Sequence, residues 1–386
     1  VSETLRDESP AKLDALTGIR IIAALWVVLF HIRGNLATEF EAYRYVAPVV
    51  DYGELGVELF FVLSGFVLAL AYGRRLSRAW QWSSTLNFWW ARFIRLWPAY
   101  ATVLVVVSAW HAALSISHIS DPVAPRDFSL GSFVRQLLMI VQWNEPDSDR
   151  LTWNGPAWTV SAEVLAYLVF PLFTLVVLRW VDHIPTYALP VLATATTVPL
   201  ILSTIVRGSL YEPWTWVLRI GCCFVAGYVM FFFYERLRNQ QAAQRAARWA
   251  FPLVTLLFLA ILVAAHRAGV HVWGFTAIAL LPTIIVTLAL DRGPSSRIFS
   301  ARPFVIGGTV SYSVYLVHMP IIEPFWLLQG TVAWLAPGTT GAKIGFLLLP
   351  VLVVLTGYAL WRFVEEPARK ALRSRPSFHR SALPHP

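Results

Sequence analysis

Charge is scarce in this chain. Asp, Glu, Lys and Arg make up 14% of its 386 residues, against about 25% in an ordinary soluble domain. That scarcity argues against a long disordered region and against a nucleic-acid partner. Lysine is nearly missing: Lys12, Lys343 and Lys370 stand against 28 arginines. Cysteine is limited to the neighbours Cys222 and Cys223. Adjacent cysteines bridge only with strain, so they supply neither a disulfide framework nor a zinc site. They read as two small apolar residues inside a helix. No Walker loop, no G-x-G-x-x-G opening a helix and no His/Cys cluster at metal spacing occurs, so no metal cofactor is expected. Ser64 does not stand in a G-x-S-x-G elbow, which removes the serine-hydrolase reading.

Apolar residues fill the space that charge leaves. Hydrophobic residues reach 57% and the mean hydropathy is +0.59. A soluble chain of this size could not hide that much apolar surface, so lipid must cover part of it. The 18 tryptophans agree, because indole favours the membrane interface. The expected fold class is all-α, a polytopic bundle of about ten membrane helices. Windows of about 20 residues place them near 16–35, 54–73, 95–114, 157–178, 187–206, 213–234, 250–267, 272–290, 304–325 and 344–363. The first run has no small-residue cleavage site behind it and reads as a retained helix rather than a signal peptide. Residues 1–370 read as one membrane domain and 371–386 as a short basic tail.

The net charge of +9 then becomes a topology signal. With the N-terminus inside, 22 of the 31 Lys and Arg residues fall in inner segments and 9 outside. This asymmetry predicts a multi-pass cell-membrane protein with both termini cytoplasmic. The longest loop, 115–156, would lie outside, where it could partly cover a cavity. It carries Asp121, Asp127, Glu145, Asp147 and Asp149.

Ionisable residues inside lipid are expensive and ask for a partner or a function. Arg20 and His31 share the first helix. Eleven steps apart, they project about 20° from one another and about 16 Å along the axis. They could grip a long anionic substrate at two depths; alternatively, Arg20 snorkels to headgroups and His31 sits at the interface. Arg92 and Arg95 share a face at i,i+3, with Arg74, Arg75 and Arg78 shortly before. Two forked guanidiniums suit phosphate, and the plain alternative is positive-inside charge. Glu163 lies about two turns into the helix that opens at Trp153-Asn154-Gly155-Pro156-Ala157-Trp158. A lone carboxylate there needs His or Arg beside it, or a proton; a structural ion pair is the other reading. Ser311, Tyr315 and His318 fall at i, i+4, i+7 and either line a cavity or join helices by hydrogen bonds. Ser64 and Gly65, in the run Gly56 to Phe66, allow two helices to approach closely, and Glu58 in the same run is ambiguous.

Together these segments resemble the acyltransferase family 3 of integral membrane O-acyltransferases, over nearly the whole chain. The pieces are Leu13-Asp14-Ala15-Leu16-Thr17-Gly18-Ile19-Arg20 followed by His31; Gly56 to Phe66; Arg92-x-x-Arg95; Trp158 to Glu163; Ser311 to His318; and Glu365-Glu366-Pro367-Ala368-Arg369-Lys370. The His-x-x-x-Asp-Gly of the soluble CoA acyltransferases is absent. The resemblance implies transfer of an acyl group from cytoplasmic acyl-CoA, with acetyl-CoA foremost, to a hydroxyl. It matches the family's histidine to His31 and its arginines to Arg20, Arg92 and Arg95. No extracytoplasmic hydrolase-like domain follows in this sequence, so the membrane core is expected to complete the reaction. Size and Arg/Ala-rich composition resemble the actinobacterial macrolide 3-O-acyltransferases. That implies a small glycosylated acceptor; O-acetylation of a cell-surface or exopolysaccharide sugar is the alternative.

On that reading His31 is the general base, with Glu163 holding its tautomer. Arg20, Arg92 and Arg95 take the CoA phosphates, and Ser311 or Tyr315 donates to the developing oxyanion. The expected partners are acyl-CoA, a hydroxylated acceptor and the bilayer, with a homodimer left open. A transporter or flippase is the rival class. It predicts inverted repeats or paired broken helices, and neither is visible.

Overall fold

The computed structural model describes residues 11–73, 80–121, 123, 126–147 and 152–373. Arg74, Arg75, Arg78 and most of the basic tail lie outside the described residues. Among those described, no strand occurs, and ten spans are long and apolar enough to cross a membrane. Their helices are α1 (Ala11–His31), α2 (Leu55–Leu68), α3 (Trp82–Ile116), α4 (Ala157–Val181), α5 (Ala188–Arg207), α6 (Thr215–Leu237), α7 (Gln241–Arg267), α8 (Leu281–Leu290), α9 (Arg302–Thr331) and α10 (Thr340–Leu360). A π-helical turn extends α2 over Ala69–Gly73 and another extends α10 over Trp361–Glu365. The eighth span begins at His271 and reaches α8 through the 3-10 segment Phe275–Leu280. The all-α, ten-span expectation therefore holds.

The boundaries differ where a hydropathy window is a poor ruler. The third span was expected at 95–114, but α3 starts at Trp82 and runs 35 residues. That is about 52 Å of helix, against about 30 Å of hydrocarbon. Backbone hydrogen bonding carries a helix past the lipid, while hydropathy records the lipid alone. Arg92 and Arg95 consequently sit inside a continuous helix, just before its apolar part. Pro98 lies within that helix rather than at its head. Likewise, α7 starts at Gln241 and takes in Arg245 and Arg248.

The chain divides into two compact units. One comprises Val1–Val67, Pro185–Leu210 and Gly221–Tyr312; the other comprises Leu68–Ile184, Tyr211–Ile220 and Ser313–Pro386. In the first unit, α2 and α6 cross through a reciprocal glycine contact. A methyl group at Gly65 would overlap the carbonyl of Phe224, and one at Gly227 that of Val62. This is the close approach that Ser64-Gly65 suggests in the sequence. Tyr52 is fully buried, stacks on His271 at 4.1 Å between ring centroids and donates to its carbonyl at 2.9 Å. Cys222 and Cys223 are free thiols in α6.

In the second unit, indole donors fasten loops to helices. Trp89 donates to the Tyr167 carbonyl at 3.1 Å and so joins α3 to α4. The run Met139–Trp143 lies in the loop expected over 115–156, and within it Met139, Val141 and Gln142 are buried. Trp143 donates to the Ser161 carbonyl at 3.0 Å, and Trp216 to that of Glu145 at 3.1 Å. The loop also folds a short helix, Leu130–Leu137, whose N-terminus is capped by Ser129 through the Ser132 amide at 3.1 Å.

Candidate active site

The first unit carries Arg20, His31 and Ser311. Arg20 and His31 lie on the uninterrupted helix α1, so the one-face relation expected from spacing stands. His31 is its last residue. Its ring packs edge-to-face with that of Phe30, 5.5 Å between centroids. His31 Nδ1 lies 2.8 Å from the carbonyl oxygen of Val27, one turn earlier. A carbonyl accepts only, so Nδ1 carries the proton and, in the neutral ring, Nε2 is the basic nitrogen. Arg20 sits 5.8 Å from the centroid of the Phe60 ring. Ser311 is fully buried and its hydroxyl donates to the Gly308 carbonyl of its own helix at 2.9 Å. To donate to an oxyanion it would have to give up that bond.

The second unit carries Arg92, Arg95, Glu163, Tyr315 and His318. Arg92 donates to the Tyr72 hydroxyl at 3.2 Å, with its guanidinium 5.3 Å from that ring's centroid. Glu163 accepts a hydrogen bond from the Tyr167 hydroxyl, one turn along α4. Glu163, Arg92 and Arg95 all act electrostatically on that phenol. The structure thus brings Arg92, Arg95, Glu163, Tyr72 and Tyr167 into one neighbourhood. Tyr167 was not singled out in the sequence, although its i,i+4 spacing from Glu163 is a readable signal.

The serine-tyrosine-histidine stripe of α9 is bound up with its surroundings. Tyr315 OH lies 3.0 Å from the Thr159 hydroxyl and 3.5 Å from the Pro156 carbonyl, at the start of α4. His318 is fully buried, and its Nδ1 meets the Tyr315 carbonyl. Ser313, one residue off the stripe, donates to buried Glu365 at 2.8 Å. Two of the signature segments, Ser311 to His318 and Glu365 to Lys370, are joined by that bond. Glu58 in α2 is fully buried.

Sequence reading missed two further groups. Arg219 is fully buried in the second unit, 4.7 Å from the ring centroid of Trp158 and 5.3 Å from that of Tyr211. Arg126 is the centre of an ion network taken up below. Among the described residues, no three His, Cys, Asp or Glu side chains are grouped to hold a metal ion.

The family model described as an acyltransferase domain matches residues 13–362. The chain belongs to acyltransferase family 3. This multi-span membrane acyltransferase is similar to the acyltransferase MdmB of Streptomyces mycarofaciens, with 27% identity over 95% of this chain and 94% of the relative. It is also similar to the peptidoglycan O-acetyltransferase OatA of Listeria monocytogenes, at 26% identity over 93% of this chain and 56% of that protein. The O-acetyltransferase OatA of Staphylococcus aureus is 23% identical over 94% of this chain and 58% of its own length. The chain therefore spans little more than half of the OatA proteins. No solved structure matches it.

Proposed function

We propose that this acyltransferase moves an acetyl or other short acyl group from acyl-CoA to a hydroxyl of a small glycosylated metabolite of the macrolide class. The observation that carries the reading is the imidazole of His31. The Val27 carbonyl at 2.8 Å favours Nδ1 as the nitrogen that carries the proton of the neutral ring. Nε2 then takes the acceptor hydroxyl proton as the oxygen bonds to the thioester carbon. The carbon–sulfur bond breaks, and the imidazolium returns the proton to the leaving CoA thiolate. A backbone carbonyl thus serves the tautomer-fixing task, and Glu163 is proposed as the carboxylate that supports the reaction from α4.

CoA is polyanionic, and Arg20, Arg92 and Arg95 are proposed to take its phosphates. The Arg92 contact is a phenol rather than a carboxylate, which favours a further anionic partner. The charge asymmetry of the sequence favours cytoplasmic termini and entry of CoA from that side. Similarity to two O-acetyltransferases, one of them named for peptidoglycan, favours a second reading in which the acceptor is a cell-surface or exopolysaccharide sugar.

The test uses purified protein in detergent with acetyl-CoA and two acceptors, a macrolide glycoside and a polysaccharide fragment. The expected result is release of free CoA and a macrolide heavier by one acetyl group. Acetylation of the polysaccharide alone would favour the second reading. Absence of product from either acceptor, with longer acyl-CoA donors also tried, would contradict both.

A further inference from the structure

The Arg126 side chain is 1% exposed and meets two carboxylates. Nη2 lies 2.6 Å from Glu323 Oε1 on α9, and Nε lies 3.4 Å from Asp121 Oδ2. Nε also donates to the Val123 carbonyl and Nη1 to the Thr152 carbonyl, each at 3.1 Å. Asp121 Oδ2 is in turn 3.3 Å from His111 Nδ1 on α3. One planar fork of donors therefore joins the loop, α9 and the run that leads into α4, and through Asp121 it reaches α3. Lysine could not make this junction, since a single ammonium has no fixed fork.

The run that Arg126 holds is tied to α9 a second time. Asn154 Nδ2 donates to the Leu316 carbonyl at 3.3 Å, and the Thr159 hydroxyl meets Tyr315 OH at 3.0 Å. Gln136 supports it from the short loop helix, accepting from the Thr152 hydroxyl at 2.9 Å. Glu163 follows about one turn after Thr159. Arg126, the start of α4 and the Leu316–Glu323 stretch of α9 thus form one hydrogen-bonded frame. Buried ion networks of this kind contribute little net stability over an apolar replacement, and their better-attested use is to fix one geometry.

We infer that Arg126 is a positioning residue. By holding Thr152 and Glu323 at once, it sets the first turns of α4, with Trp158 and Glu163, in register with Tyr315 on α9. The inference rests on the acyl-transfer reading above for its functional half, and on the frame itself for its structural half.

The experiment compares Arg126→Lys, Glu323→Gln and the unaltered full chain in detergent by two readouts. The first is amide hydrogen exchange over 152–163 and 311–318, with α1 and α7 as internal references. The second is kcat and KM for acetyl-CoA. In Arg126→Lys, exchange over 152–158 is expected to rise about tenfold or more while α1 and α7 stay unchanged. Turnover is expected to fall about tenfold, with KM within about twofold. Glu323→Gln keeps an acceptor for Nη2 and should lie between the two on both readouts. Unchanged exchange over 152–163 would overturn the clamp. Raised exchange with full turnover would overturn the positioning role, as would a uniform rise that includes α1 and α7. An unaltered protein inactive on every donor and acceptor would remove the functional half alone, and the exchange comparison would still decide whether Arg126 clamps the frame.

Discussion

Two arginine clusters of the second unit differ in what faces the guanidinium. The Arg126 side chain is sealed from solvent, with Glu323 and Asp121 beside it and the Val123 and Thr152 carbonyls accepting from Nε and Nη1. Arg92 is half-buried, meets the Tyr72 phenol, and keeps a buried Nε that has no hydrogen-bond partner among the described residues. Arg95 stands one turn along the same helix. In the first cluster two carboxylates answer one guanidinium, so no cation is left for a ligand and the arginine acts by holding geometry. The second holds more cation than its immediate hydrogen-bond partners neutralise, which is what recognition of a polyanion requires. Burial of a charge in a membrane protein therefore does not by itself mark the active site; the balance of charge around it is the better guide.

Substitutions can break that contrast. Arg126→Ala should have the largest effect, because it leaves Asp121 and Glu323 without their cation. A loss of about 3–5 kcal/mol in unfolding free energy is expected, read by thermal or denaturant unfolding in detergent. A Tm equal to that of the unaltered protein would show that the network carries no stability. Arg92→Ala and Arg95→Ala should do the reverse: nearly unchanged Tm, with CoA affinity reduced by about 1.5–3 kcal/mol each, or roughly tenfold or more. Titration of CoA checks this, and unchanged affinity would return both residues to a topology role.

A finer probe is the Glu163–Tyr167 pair. Glu163→Gln and Tyr167→Phe should each lower turnover, and the double mutant should fall short of their product by a coupling of about 0.5–3 kcal/mol. Strict additivity would separate the two groups. The smallest effect belongs to Lys370, which pairs with Glu366 at 3.2 Å while its side chain is 74% exposed. Lys370→Ala should leave both stability and turnover unchanged within error, as for most exposed ion pairs.

These residues also mark how far the sequence could be read. The spans were legible because lipid is a uniform solvent and hydropathy records it directly. Arg20 and His31 were legible because both lie on one helix, where spacing alone fixes their relation. Tyr167 and the Val27 carbonyl lay within reach of the same logic, each one helical turn from a residue already singled out. Arg126 did not. Its partner Glu323 is 197 residues away, and no periodicity links a loop arginine to a distant helix. The start of α3 was misplaced for a related reason: its first turns are helical without being lipid-like. Ser313 was passed over because the i, i+4, i+7 stripe picks out Ser311, and spacing cannot tell that Ser313 meets a distant carboxylate.

The most direct measurement is the turnover of His31→Ala at saturating acetyl-CoA, together with its CoA affinity. The account predicts a loss of at least about 10²-fold, the usual consequence of removing a general base, with CoA bound as tightly as in the unaltered protein. Turnover within a few-fold of the unaltered protein would contradict it and leave His31 as a structural residue at the end of α1.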